Sequence, residues 1–472
     1  MTRRKLLITL GLLPVLCAGR APAKPAPAQP ADAPQAIHLE AENGTLTGVT
    51  VQTAHTGFSG TGYVGDFAAA GAHLAWTIPN VHAGLYNVQI RFRTPSGTKG
   101  YELVVNGHKS SGMFPASDAF TEAPAGKVEL QEGANTVGIE RGWGYFEIDA
   151  LDLTPAPAAP PIAPVPGIPS DPQATPQARA LLRSLTQSYG SKTLSGQSNW
   201  ADSQYVHETT GQWPAILGMD LMDYSPSRLA NGSKPGNAVE DTMQETQQTG
   251  QIITVHWHWN APMHLTDTKE NPWWSGFYTK ATTFDVAAAL DHPESPEYQH
   301  ILSDMDTIAV QLQKYQAAGV PVLWRPLHEA EGGWFWWGAK GPEAYKKLWR
   351  LMYTRLTKTH KLHNLIWVYS SGTDPKWYPG DDVVDVVGVD EYPKDPSDAL
   401  TTVWDKLLNQ YGGRKSLALT EFGGVPDVTK MQQFGVRWAY FMTWNGREKM
   451  PAADLTRLYT APGIVNAGKA KQ

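Results

Sequence analysis

The sequence predicts an α/β protein in two parts, a small all-β sandwich followed by a (β/α)8 TIM barrel. Three observations carry the prediction. Residues 36–153 contain short runs in which apolar and polar side chains alternate, the period of a half-buried strand. Residues 154–172, "TPAPAAPPIAPVPGIPSDP", are too proline-rich to pack as either element and read as a linker. Residues 175–465 alternate eight strand-like runs with helical ones. A doubly wound sheet is the rival there, but no glycine-rich phosphate loop follows its first strand.

The chain opens on Arg3, Arg4 and Lys5, then the apolar run "LLITLGLLPVLCAG" and "RAPA", so residues 1–23 read as a secretory signal peptide. "TRRKLL" also resembles a twin-arginine export signal. The run is too short to span a bilayer and no other is long enough, so a secreted or periplasmic protein with no membrane partner is expected. The only cysteine, Cys17, lies in this leader, which leaves the mature chain without disulfides or thiolate chemistry. Cleavage also removes four positive charges, Arg3, Arg4, Lys5 and Arg20, taking the formal net charge from −6 to −10. Such a surface repels phosphate backbones and argues against nucleic acid as a partner.

In the first part, "LYNVQIRFR" puts Tyr86, Val88, Ile90 and Phe92 on one face, and Asn106-Gly107 is a two-residue hairpin signal. Further strands are expected in "KVEL", "NTVGIE" and "YFEIDALDL". After the linker, strands are expected over 193–197, 214–221, 252–259, 321–329, 364–370, 385–392, 416–423 and 438–446. The clearest helix runs from about Pro296 to Ala318, with Ser295 as N-cap, Pro296 at the first position and Gly319 closing it. Its apolar residues Ile301, Met305, Ile308, Leu312 and Tyr315 step by three or four. A second is expected over 342–361.

Barrels of this kind place their working residues at the C-terminal ends of strands. That rule selects Glu329, ending the fourth run, and Glu421, ending the seventh, because a glutamate is seldom buried unpaired. Two carboxylates across one mouth suit glycoside hydrolysis: one protonates the leaving oxygen, the other attacks the anomeric carbon or activates water. The stretch "WRPLHEAEGGWFWWG", 324–338, adds four tryptophans, whose indoles desolvate well against the C–H faces of sugar rings and raise the pKa of a nearby acid. His256-x-His258 could chelate zinc from one face of a strand, but later strands offer no matching histidines, and a polar core role fits His256 better. Glu331 and Glu391 are expected at the surface or in support of the neighbouring pair, and Asp390 could orient a partner. Trp273 and Trp274 either extend the cleft or hold their loop, and Trp336 and Trp337 are expected to divide, one against sugar and one beneath. No G-x-S-x-G follows a strand.

"WRPLHEAEGGWFWWG" together with "ALTEFGG" resembles glycoside hydrolase family 26, mostly endo-β-1,4-mannanases, over residues 175–465. The resemblance implies a retaining mechanism with Glu329 as acid/base and Glu421 as nucleophile, the two about 5–5.5 Å apart. It implies sugar contacts from His258, His328, Trp334, Tyr392 and Trp444, and no cofactor for catalysis. Residues 36–153 resemble a carbohydrate-binding module of family 35 through "LEAENGTL" and "FEIDALDL". That resemblance implies a structural calcium at Glu40, Glu42 and Asp149, two of them on one side of a strand, and a sugar platform at Trp143. Solvated edge carboxylates and a buried tryptophan are the alternative readings. The expectation is a monomeric, secreted enzyme acting on mannan. Xylan, mixed-linkage glucan and non-catalytic mannan binding are its competitors.

Overall fold

The computed structural model describes residues 34–444, 446 and 449–468, so the leader expected over 1–23 lies outside the described residues. Among those described, no helix is long and apolar enough to cross a membrane.

The first part is a sandwich of two antiparallel sheets, as predicted. One sheet runs Thr50–Gln52, Tyr63–Gly65, Glu147–Pro155, Gly84–Thr94, Ser117–Leu130, with Ile37–Glu40 also pairing on Glu147–Pro155. The other runs Thr45–Thr47, His73–Val81, Gly133–Trp143, Lys99–Val105, His108–Phe114. Tyr86, Val88, Ile90 and Phe92 are all buried between the sheets, the face their alternation assigned. Asn106 and Gly107 both take positive φ, 50° and 86°, which is what a tight hairpin of the primed type needs.

The second part is a closed barrel of eight strands whose pairings are all parallel. In order they are Gly196–Gln197, Ile216–Asp220, Ile252–His256, Val322–Arg325, Leu365–Tyr369, Val386–Glu391, Ser416–Gly423 and Phe441–Trp444. Most are shorter than the apolar runs that mark them. The fourth stops at Arg325 because Pro326 cannot donate to a ladder. The third stops at His256, which leaves His258 on the loop beyond it and removes the shared-strand geometry of the His-x-His pair. The helix Pro296–Ala317 forms as expected, with the Ser295 hydroxyl accepting from the Tyr298 N–H. The helix expected over 342–361 is Gly341–Thr354 followed by a π turn, Arg355–Thr359.

The proline-rich stretch does not hang free. At ~3.1 Å per residue it could separate two bodies by up to ~60 Å, yet it is docked on the barrel at particular residues, while Ile168 stays exposed. Ile162 and, from the sandwich, Leu85 pack against the barrel's hydrophobic core. The Ser170 N–H donates to Asp385 at the N-terminal end of the sixth strand (2.5 Å).

Candidate active site

The acid candidate sits on a strained turn. After Arg325 the chain passes through Leu327 and Glu329 at φ 52° and 53°, a region that L side chains reach at a cost of about 1–3 kcal/mol each. The surroundings hold it there: the Glu329 N–H donates to the Ser370 carbonyl (2.9 Å), and Trp337 Nε1 donates to the His328 carbonyl (2.8 Å). The result turns the Glu329 carboxyl to the rim, where Trp334 Nε1 donates to its Oε2 (2.9 Å). Burial first, and then the negative charge of Glu421, push the Glu329 carboxyl above its ordinary pKa, so it holds its proton to higher pH than a free glutamate.

Glu421 is buried on the seventh strand and gripped at both oxygens. Arg325 donates to Oε1 and the Tyr392 hydroxyl donates to Oε2. Arg325 also donates to Asp390 Oδ2 (2.9 Å) and Ser370 Oγ (3.0 Å), and Asp390 Oδ1 accepts from Thr420 Oγ1 (2.6 Å). Burial and the two nearby glutamates push Asp390 well up, against the pull of Arg325. One guanidinium therefore serves two buried carboxylates, an arrangement that aims Glu421 and leaves it no rotational freedom.

A histidine pair completes the rim. His258 Nε2 and His328 Nε2 are 3.1 Å apart, so one proton is shared between two imidazoles. Asp220, the last residue of the second strand, orders them: its Oδ2 lies 2.6 Å from His258 Nδ1, and its Oδ1 accepts from the His258 N–H (3.1 Å). Burial lowers the proton affinity of His258, but Asp220 outweighs it and the net shift is upward. Burial, with Arg325 nearby, holds His328 well below its ordinary value, so of the two imidazoles His258 is the one that takes up a second proton more readily. Phe277, Phe335 and Trp444 ring His258 at 5.1, 5.6 and 6.0 Å between centroids. Asp220, His256 and His258 offer an O,N,N set within 4.8 Å. Yet the 2.6 Å contact is that of a hydrogen bond, and its proton fills the place a metal would take.

The barrel residues selected from the sequence, Glu329, Glu421, His258, His328, Trp334, Tyr392 and Trp444, thus meet at one rim. Trp334 and Tyr392 are each 48% exposed, open faces for a flat ligand. Trp336 and Trp337 are both buried, which corrects the expected division between them: their indole N–H groups are committed to the carbonyls of Trp259 and His328. Sequence reading missed Arg325 and Asp220. Both end their strands in the structure; the strand-end rule applied to every charged residue would have reached Asp220, near the end of the run 214–221, but not Arg325, which lies in the middle of the run 321–329.

Comparison with known proteins gives the same architecture. Residues 170–468 match the family described as Glycosyl hydrolase family 26, and residues 37–156 match Carbohydrate binding module (family 35). The chain belongs to glycosyl hydrolase family 26. Its relatives include a mannan endo-1,4-beta-mannosidase of Thermothelomyces thermophilus, 44% identical over 91% of this chain and 89% of the relative. The crystal structure of the Podospora anserina GH26-CBM35 beta-(1,4)-mannanase superposes with a TM-score of 0.66, at 41% identity, over 92% of this chain and 98% of that one. The beta-mannanase of a symbiotic protist of the termite Reticulitermes speratus, solved with a gluco-manno-oligosaccharide, gives 0.58 at 30% identity over 65% of this chain and 99% of that one.

The family 35 module carries its own cluster. Glu40 ends a strand, but Glu42 lies in the 3-10 turn Ala41–Asn43, so the two do not share a strand as expected. They converge nonetheless, because a Cβ at Gly60 would meet Glu42 Oε1 at 2.2 Å and Glu40 Cδ at 3.0 Å. Asp149 is fully buried and accepts from the Ser59 N–H (3.0 Å) and Arg91 Nε (2.6 Å). Trp143 ends the strand Gly133–Trp143 and is 50% exposed, so it is not a core residue. Lys99 Nζ lies 5.9 Å from its ring centroid.

The role of Asp220 makes a direct prediction. Asp220→Asn keeps the shape and loses the charge, so kcat/KM on mannan is expected to fall about tenfold, the size of one charge-assisted hydrogen bond. The His258 imidazole should also titrate at lower pH, as followed by NMR. An unmoved His258 titration would remove the orienting role.

Proposed function

We propose that this chain is an endo-acting mannan 1,4-β-mannosidase that works by double displacement with retention. The observation that carries the reading is the pair of unlike carboxylates at one rim, Glu421 fixed by Arg325 and Tyr392, Glu329 pushed up in pKa beside it. Glu421 attacks the anomeric carbon while Glu329 gives its proton to the departing glycosidic oxygen. Once Glu421 is esterified by the sugar, its negative charge is gone and so is one cause of the raised Glu329 pKa. Glu329, now ionised, takes a proton from the incoming water, whose oxygen attacks the same carbon and frees Glu421. Trp334, Tyr392 and Trp444 line the sugar path, with His258 and His328 contacting the ring that is attacked. Trp143 offers the family 35 module a stacking face for polysaccharide. The leader over 1–23 supports export, and a single chain supplies every residue the mechanism uses.

Product analysis tests the substrate. With the full chain, oligosaccharides are expected from galactomannan and glucomannan and none from xylan. Sugar release from xylan or mixed-linkage glucan at a comparable rate would move the assignment to another activity of the family. No release from any of them would leave a binding protein.

The module's acidic cluster supports a calcium. Glu40 and Glu42 point hard oxygens at one place, and Glu42 Oε2 is buried without a partner, although Glu40 also meets His38 and Ser59, Glu42 Oε1 accepts from Thr61, and Asp149 serves Ser59 and Arg91. Glu40 and Glu42 would hold the ion, with Asp149 at the edge of its shell, and its contribution would be stability. Calcium is therefore expected to raise the melting temperature by several degrees over a chelated sample, with kcat unchanged. A Glu42→Gln variant that still shows the full calcium shift would exclude the site.

A further inference from the structure

The family 35 module does more than sit on a tether, because one edge of each of its two sheets is seated on one segment of the barrel. That edge is the strand His108–Phe114 in one sheet and Ser117–Leu130 in the other. An exposed edge is a row of unpaired backbone donors that a fold must cover. Here the cover comes from the loop after the sixth barrel strand and the helix Thr401–Tyr411. The backbone N–H groups of Lys109 and Ser111 bond the carboxylates of Asp395 and Asp398. The Lys127 N–H donates to Thr401 Oγ1 (2.8 Å), and Lys127 Nζ pairs with Asp405 (2.7 Å). The approach is close enough that a Cβ at Gly126 (φ 85°) would lie 2.5 Å from Thr401 Oγ1.

The same segment begins at the nucleophile's partner. Tyr392, whose hydroxyl donates to Glu421, is two residues before Lys394, and Lys394 Nζ donates to Glu102 Oε1 of the module (2.6 Å). Glu102 is 4% exposed, and its other oxygen accepts from Ser111 Oγ (2.7 Å). A buried carboxylate that loses its cation is costly, so the loop cannot drift without leaving Glu102 unpaired. At the far end of the loop Leu400 is buried at φ 54°, a backbone strain that the surrounding contacts hold in place.

We propose that the module is a working part of the catalytic rim: it clamps residues 393–401, and through Glu102 and Lys394 it holds Tyr392 on the nucleophile. Glu102 is then a positioning residue 292 places before its partner in the chain. The proposal rests on the reading of Glu421 as nucleophile and predicts a cost on substrates too small to need capture by the module.

The test uses the full-length chain and a soluble aryl mannobioside. Glu102→Gln and Lys394→Gln are each expected to lower kcat roughly three- to tenfold with little change in KM, the scale of coupling through a packed element. A surface-pair control, Lys347→Gln, should leave kcat unchanged. In a Tyr392→Phe background the Glu102→Gln loss should vanish, because the group being positioned is gone, whereas a merely structural role would multiply with it. If Lys394→Gln, which leaves Glu102 buried without its cation, misfolds, Glu102→Gln carries the test, since it removes the buried charge and keeps the shape. Wild-type kcat in a folded Glu102→Gln or Lys394→Gln, or multiplicative losses with Tyr392→Phe, would overturn the clamp. An active Glu421→Ala would instead overturn the reading beneath it.

Discussion

Glu421→Ala is expected to lose turnover on mannan by roughly five orders of magnitude, the scale seen when a covalent nucleophile is removed. It should keep its fold. The usual objection is that cutting one partner from a buried ion pair costs about 3–5 kcal/mol, because a charge is left uncompensated. Here Arg325 serves two buried carboxylates, and Asp390 stays in place at 2.9 Å. The cluster carries an excess negative charge in the native protein, which is one reason Asp390 is pushed up; without Glu421, Arg325 and Asp390 form a balanced pair. The melting temperature is therefore expected to stay within a few degrees of the parent, as read by circular dichroism. Residual activity near the parent level in a folded variant would remove the nucleophile assignment. The stereochemistry gives a second check on the parent enzyme: the product anomer formed first, seen by proton NMR, should be β, and an α product would require water rather than Glu421 as the attacking group.

How much of this was readable beforehand depends on what each residue's signal is made of. The barrel was legible because eight apolar runs recur, and the seventh strand, Ser416–Gly423, coincides with its run. The fourth run overshoots because hydrophobicity continues through Leu327 while the hydrogen-bond ladder does not; Pro326 and two left-handed residues break it, and that break is what aims Glu329. His258 was placed on a strand for the same reason, and its partner Asp220 belongs to another strand, so no local pattern joins them. Trp336 and Trp337 show the limit of composition. Four tryptophans in fifteen residues mark an aromatic site, but burial is decided by backbone carbonyls that only the fold supplies. The linker was legible as proline-rich and not as docked, since what it packs against lies elsewhere in the chain.

Glu329→Ala should separate the two halves of the reaction. On mannan the leaving group is an alkoxide that needs a proton, so the loss is expected at about 10²–10⁴-fold. A dinitrophenyl mannobioside leaves without help, and its kcat/KM, which reports the first step alone, should fall far less. Its kcat should still drop, because water then attacks the glycosyl-enzyme without a base; the intermediate accumulates, KM falls, and a burst of dinitrophenol precedes the slow steady state. The pH dependence follows from the same carboxyl. Glu329 acts when protonated, and burial together with Glu421 raises its pKa, so in the parent kcat/KM on mannan should hold through the range where a free glutamate has already ionised and decline only on the alkaline side of the raised value. On the dinitrophenyl substrate that alkaline limb should be absent in Glu329→Ala. Equal losses on both substrates, or an alkaline limb that survives the substitution, would mean that another group delivers the proton. The candidate would then have to be His258, whose imidazole Asp220 holds above its ordinary pKa at the same rim.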